Sequence, residues 1–127
     1  MIKRVLFAAA WTAIVLQFKP ALAAGPYDGT WTGMLEGNGT HCPPAAITMR
    51  IADNRITGNI VLSDGTPRLE GSVAADGSGT ASYNYAYTGA SGTVSGKFSG
   101  NEFIGKLDSI YKVANTSCSR SISAKRS

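Results

Sequence analysis

The sequence predicts an all-β domain: an up-and-down meander of about eight short strands, closed or nearly closed into a barrel, with a β-sandwich as the alternative. Three observations carry this prediction. Apolar and polar residues alternate along the chain after residue 24, and no stretch there keeps a helical period for three turns. A pattern of apolar residue, spacer, glycine, spacer, apolar residue recurs at Trp31–Leu35, Ile56–Ile60, Leu69–Val73, Val94–Phe98 and Phe103–Leu107. Clusters of Asp, Asn, Gly and Ser separate the alternating runs and supply residues that tolerate tight hairpins.

The first residues form a separate object. Lys3 and Arg4 precede an apolar run from Val5 to Phe18, and Ala21-Leu22-Ala23 offers a cleavage site, so residues 1–23 read as a secretory signal peptide. A single domain over 24–127 is what remains. The apolar run falls short of the roughly 20 residues a membrane span needs, and Lys19 and Pro20 close it. Export predicts a periplasmic or secreted protein without stable membrane insertion. Loss of Lys3, Arg4 and Lys19 also lowers the net charge from +4 to about +1, so charge gives no support for nucleic-acid or membrane-surface binding. Lys125 and Arg126 read as a solvated tail.

Within the domain, strands are expected near 30–36, 45–52, 55–62, 68–75, 80–88, 92–99, 102–108 and 117–124. In the first, Trp31, Gly33 and Leu35 share one face, because side chains alternate along a strand. The spacers, mostly Thr, Glu, Asn, Ser and Lys, face water. The same reading applies to the other four glycine-centred runs. Glycine in mid-strand is entropically costly and leaves nothing to pack, so its repetition implies bending, a bulge, or a bulky group that comes close. The strand at 80–88 instead sets Tyr83, Tyr85 and Tyr87 on one face. Packing of these rings into space left by inward glycines is favoured, with a stacking wall for a planar or sugar-like ligand as the functional alternative.

Short turns at Ala52–Asn54, Ser63–Pro67, Ala75–Gly79, Gly89–Gly92 and Ser99–Asn101 join strands two to seven as neighbours in space. The longer links, Gly37–Pro44 and Ser109–Ser117, flank the two cysteines, Cys42 and Cys118. In an oxidising compartment such a pair reads as a disulfide. Its 76-residue separation gives about 4 kcal/mol of stabilisation in the chain-entropy model. A redox or metal role is the rival reading; His41 is the only histidine, nothing stands at metal-ligand spacing, and no cofactor is implied. A Cys42–Cys118 bond would bring the first hairpin beside the last strand and remove the free edges, which favours the barrel over the sandwich. So small a barrel is either just filled by its own side chains or holds one small ligand, and the balance leans towards filled.

Two resemblances add to this reading. Gly29-x-Trp31 before a β meander looks like the start of the calycin superfamily, which includes lipocalins, avidins and small bacterial metalloprotease inhibitors. In lipocalins a basic residue of the last strand packs across that tryptophan; Arg120, at the same strand parity as Ile122, matches that role and implies a cation-π contact. Over most of the domain, the order Tyr27-Asp-Gly-Thr-Trp31, Cys42, Arg55-Ile-Thr-Gly58, Gly71-Ser-Val-Ala-Ala-Asp-Gly77, Ser95-Gly-Lys-Phe98 and Cys118 resembles an uncharacterised family of small exported proteobacterial β proteins. That resemblance implies compartment and fold and transfers no active residues.

Enzyme readings fare poorly. Asp28, Asp64 and Asp76 each precede a glycine and are explained as turn residues, and His41 lies beside prolines without a hydrolase serine motif. A non-enzymatic binding barrel is therefore expected, with a small apolar or aromatic ligand at the mouth and Trp31, Tyr83, Tyr85, Tyr87 and Arg120 as its contacts. The alternative is an interaction module, such as a protease inhibitor or envelope-associated protein, that docks an exported partner with the loops at 37–44 and 109–117. A hydrolase of cell-envelope material is a third and weaker reading.

Overall fold

A computed structural model describes residues 25–37, 42–62, 65–85, 89–112 and 115–127. The expected signal peptide, His41, Asp64 and Tyr87 lie outside the described residues. The eight strands are β1 (Gly29–Leu35), β2 (Ala45–Ala52), β3 (Arg55–Val61), β4 (Arg68–Val73), β5 (Ser78–Tyr85), β6 (Ala90–Ser99), β7 (Glu102–Tyr111) and β8 (Thr116–Arg126). Each is antiparallel to its neighbour in sequence, and β1 also pairs with β8, so the sheet closes into a barrel in simple chain order. Closure pairs both edges of the meander and decides against the sandwich.

Local chemistry sets the turns. Between β2 and β3, Asp53 and Asn54 both take positive φ, 56° and 63°, the conformation of a two-residue hairpin that follows the strand twist. Between β4 and β5, Asp76 Oδ1 accepts a hydrogen bond from the Ser78 amide at 2.9 Å. That bond favours the ionised carboxylate and lowers the Asp76 pKa below its ordinary value of 3.8.

The link expected over Ser109–Ser117 is shorter than the sequence suggested. β7 continues through Tyr111 and β8 begins at Thr116, with Ser109 opposite Cys118 and Tyr111 opposite Thr116. Ser109 faces the barrel interior, where alternation by polarity no longer signals a strand. Hydrogen-bonded pairing with β8 carries the strand on regardless.

Inward-facing residues form one continuous core, from Trp31, Met49 and Phe98 to Ile60, Leu69, Tyr83 and Leu107. The repeated glycines serve it in two ways. A β-carbon on Gly33, Gly58 or Gly71 would collide with the backbone of the adjacent strand, at Ser123, Thr48 and Thr80 respectively. These glycines let strands pass closer than a side chain permits, and so allow a short sheet to curl shut. Gly79, Gly96 and Gly105 occupy one register row across β5, β6 and β7. There a β-carbon would meet the Phe98 ring at 2.6 Å on Gly79, and the Phe103 ring at 2.6 Å on Gly96 and 2.8 Å on Gly105. The missing side chains are the space in which those rings lie.

Candidate functional site

The two ends of the barrel are built differently. One gathers the tight turns β2–β3, β4–β5 and β6–β7 with the start and end of the described domain. Trp31 is fully buried there and meets Phe98 edge-on, with ring centroids 4.8 Å apart. Phe103 and Tyr27 extend the cluster, their centroids 4.4 and 5.9 Å from that of Phe98. The Trp31 indole N–H donates to the Tyr27 carbonyl at 3.0 Å. Asp28 accepts from the amides of Gly25 at 3.0 Å and Asp53 at 3.1 Å, which fastens the incoming chain to the β2–β3 turn.

Arg126 lies across the outside of this cluster, 4.9 Å from the Trp31 ring centroid. Its Nη1 donates to the carbonyls of Pro26 (3.0 Å) and Asp28 (2.9 Å), Nη2 to that of Gly100 (3.0 Å) and Nε to Asn101 Oδ1 (3.0 Å). One guanidinium thus ties the segment before β1, the β6–β7 turn and the last strand together. This corrects the expectation that Arg120 makes the cation-π contact and that Arg126 is a solvated tail. Arg120, Ile122, Ala124 and Arg126 all share the inward parity of β8, but register sets Arg126 opposite Trp31 and Arg120 opposite Leu107. Six residues of strand separate the arginines by about 20 Å.

The other end carries the β1–β2, β3–β4, β5–β6 and β7–β8 connections. Cys42 and Cys118 are bonded there, with Cα atoms 5.7 Å apart, which draws the β1–β2 segment over the early part of β8. That bond is consistent with an oxidising compartment. Tyr83 is buried with its ring over Gly92, where a β-carbon would lie 2.9 Å from Cζ, and half-buried Tyr85 covers Gly65 in the same way. Leu62 and Tyr111, also half-buried, complete the rim against the core.

Arg120 points into this end and is 2 % exposed. Its Nε donates to the Pro43 carbonyl at 2.8 Å and its Nη1 to Ser109 Oγ at 3.5 Å. The five residues expected at one binding site are therefore divided. Trp31 belongs to the plugged end, while Tyr83, Tyr85 and Arg120 belong to the loop end. Ser109 was missed by the sequence reading, and its position between two apolar-alternating segments offers no signal until register sets it beside Cys118 and Arg120.

Grooves among the described residues run along the outer wall and are lined by strand spacers such as Arg68, Glu70, Ser82, Thr93 and Asp108. No group of three or more His, Cys, Asp or Glu side chains suited to a metal ion occurs among the described residues. Among the described residues no helix is long and apolar enough to cross a membrane, which leaves membrane β-barrels unaddressed. Comparison of the chain with protein-family models, curated proteins and solved structures finds no match.

Proposed function

We propose that this protein is an exported, non-enzymatic binding barrel that recognises a small apolar or aromatic ligand at its loop end. The observation that carries this reading is the contrast between the ends. One is sealed by Tyr27, Trp31, Phe98, Phe103 and Arg126, while the other carries half-buried Leu62, Tyr85 and Tyr111 at or just beyond the ends of their strands and a buried cation, Arg120. The middle of the barrel is occupied by its own side chains, so a ligand sits at the mouth and leaves the deep core undisturbed. Rigid rims of tyrosine suit such contacts, since the ring supplies apolar area and the hydroxyl a polar handle. The calycin-like reading fits this assignment through the pairing of Trp31 with a last-strand arginine, here Arg126. Signal-directed export fits a disulfide-closed barrel whose β8 turns Ser117, Ser119, Ser121 and Ser123 outward to water.

Titration of the exported form with small aromatic and aliphatic molecules tests the reading by tyrosine fluorescence and chemical-shift changes. Shifts confined to Leu62, Tyr85 and Tyr111 are expected. Shifts that fall only on the outer wall, or none across the panel, overturn it. The second reading, a docking module for an exported protein, is favoured by the Cys42–Cys118 bond, which pre-organises the segment before β2 against β8. Its docking surface is smaller than expected, because most of 109–117 lies in β7 and β8. Replacement of 38–41 by glycine and serine abolishes capture of a co-exported protease under that reading and leaves small-molecule binding intact.

A further inference from the structure

We infer that Arg120 is an anion receptor, whose guanidinium takes the carboxylate of a small monocarboxylic acid with an apolar or aromatic body. The inference rests on the binding role proposed above and specifies the chemistry of the ligand. A guanidinium carries five N–H donors and a permanent charge. Arg120 holds that charge inside the barrel wall with two hydrogen bonds, both to neutral acceptors, the Pro43 carbonyl and the Ser109 hydroxyl. The ion pairs among the described residues are Arg68–Glu70, Lys97–Asp76 and Lys106–Asp108, and none includes Arg120. A buried charge without a counter-ion is costly, and native proteins pair such charges or use them to bind.

Arg126 supplies the internal reference. It lies on the same face of the same strand, is less buried, and still makes four hydrogen bonds and a ring contact. Where this fold uses an arginine to hold itself together, four of the five donors of the fork are taken. At Arg120, Nε and Nη1 each make one bond, which fixes the orientation of the fork and leaves three of its five N–H donors, both of those on Nη2 among them, for an incoming acceptor.

The charge and shape select the class of anion. Two parallel N–H donors match the two oxygens of a planar carboxylate, and one positive charge balances one negative charge. A phosphate dianion calls for a second cation, whereas Pro43 and Ser109, which Arg120 bonds, Leu107 opposite it, and Cys118 and Ile122 beside it on the inward face of β8 bring none. The acid's apolar body then lies against the rim formed by Leu62, Tyr85 and Tyr111, the half-buried residues next to the core.

The test is calorimetric titration of the exported, disulfide-bonded protein with phenylacetate, benzoate and hexanoate, each beside its neutral amide, with the Arg120 Nε–H resonance followed by NMR. The acids are expected to bind about tenfold or more tightly than the amides and to move the Nε–H signal. Arg120→Gln removes that preference and Arg120→Lys keeps part of it. The acid–amide comparison on the unaltered protein stands even if a variant does not fold. Equal binding of acids and amides, with a still Nε–H signal, overturns the anion receptor and leaves the binding barrel standing. Absence of binding by either series overturns both.

Discussion

The two ends of this barrel solve the same problem, a cation at the rim of an apolar core, in opposite ways. At the sealed end Arg126 lies over Trp31 with its donors spent on three carbonyls and an amide oxygen, so charge, ring and backbone satisfy one another. At the loop end Arg120 is more deeply buried and has two neutral partners. The difference teaches that burial of a charged group does not by itself identify its role. The fraction of its hydrogen-bonding capacity already used separates the two arginines, four of five donors at Arg126 against two of five at Arg120.

The contrast is most forcefully tested at the plug. Trp31→Ala removes a fully buried ring in contact with Phe98, and a loss of about 3–5 kcal/mol is expected in urea unfolding. Tyr85→Ala, at the half-buried rim, is expected to cost about 1–2 kcal/mol, and equal losses would erase the distinction between the two ends.

The disulfide comes next. Cys42→Ser and Cys118→Ser each lower stability by about 2–4 kcal/mol, and the double variant is no worse than either alone, as befits two thiols that act only through their bond. Additive losses in the melts would contradict that.

A smaller and sharper effect is expected from the arginines. Arg126→Met costs about 1–3 kcal/mol, since four hydrogen bonds and the ring contact are lost together. Arg120→Met, an apolar chain in place of a buried and incompletely paired charge, is expected to change stability by less than about 1 kcal/mol or to raise it. Thermal melts that rank the two in reverse would assign Arg120 to the structural class.

The smallest effect concerns Asp76. Its pKa is lowered in the folded state by the Ser78 amide, so the unfolded chain binds the proton more readily. The contribution is present above the ordinary value of 3.8 and is lost as pH falls through the lower folded value. Asp76→Asn is expected to lower the melting temperature slightly at neutral pH and to leave it unchanged in strong acid.

Much of this architecture is legible in local chemistry. Alternation marked all eight strands, and Asp53-Asn54, Gly77 and Gly100 marked turns, because period-two burial and positive φ are written residue by residue. The cysteine pair and its link to closure were legible too, since oxidation and chain reach constrain them. The ends of β7 and β8 were not. Ser109 is polar yet inward, and only pairing with the neighbouring strand places it there.

By itself, then, the sequence determined the strand count, the inward faces, the glycine belt and the disulfide, all of which follow from backbone preferences and polarity along one dimension. Tertiary structure alone decided which arginine meets Trp31. Parity admits Arg120 and Arg126 equally, but the shift between β1 and β8 is fixed by closure of the whole sheet. The same closure separated Trp31 from the tyrosine rim. It also left Arg120 buried with a partly filled fork, a circumstance that depends on what surrounds the side chain and therefore has no signature along the chain.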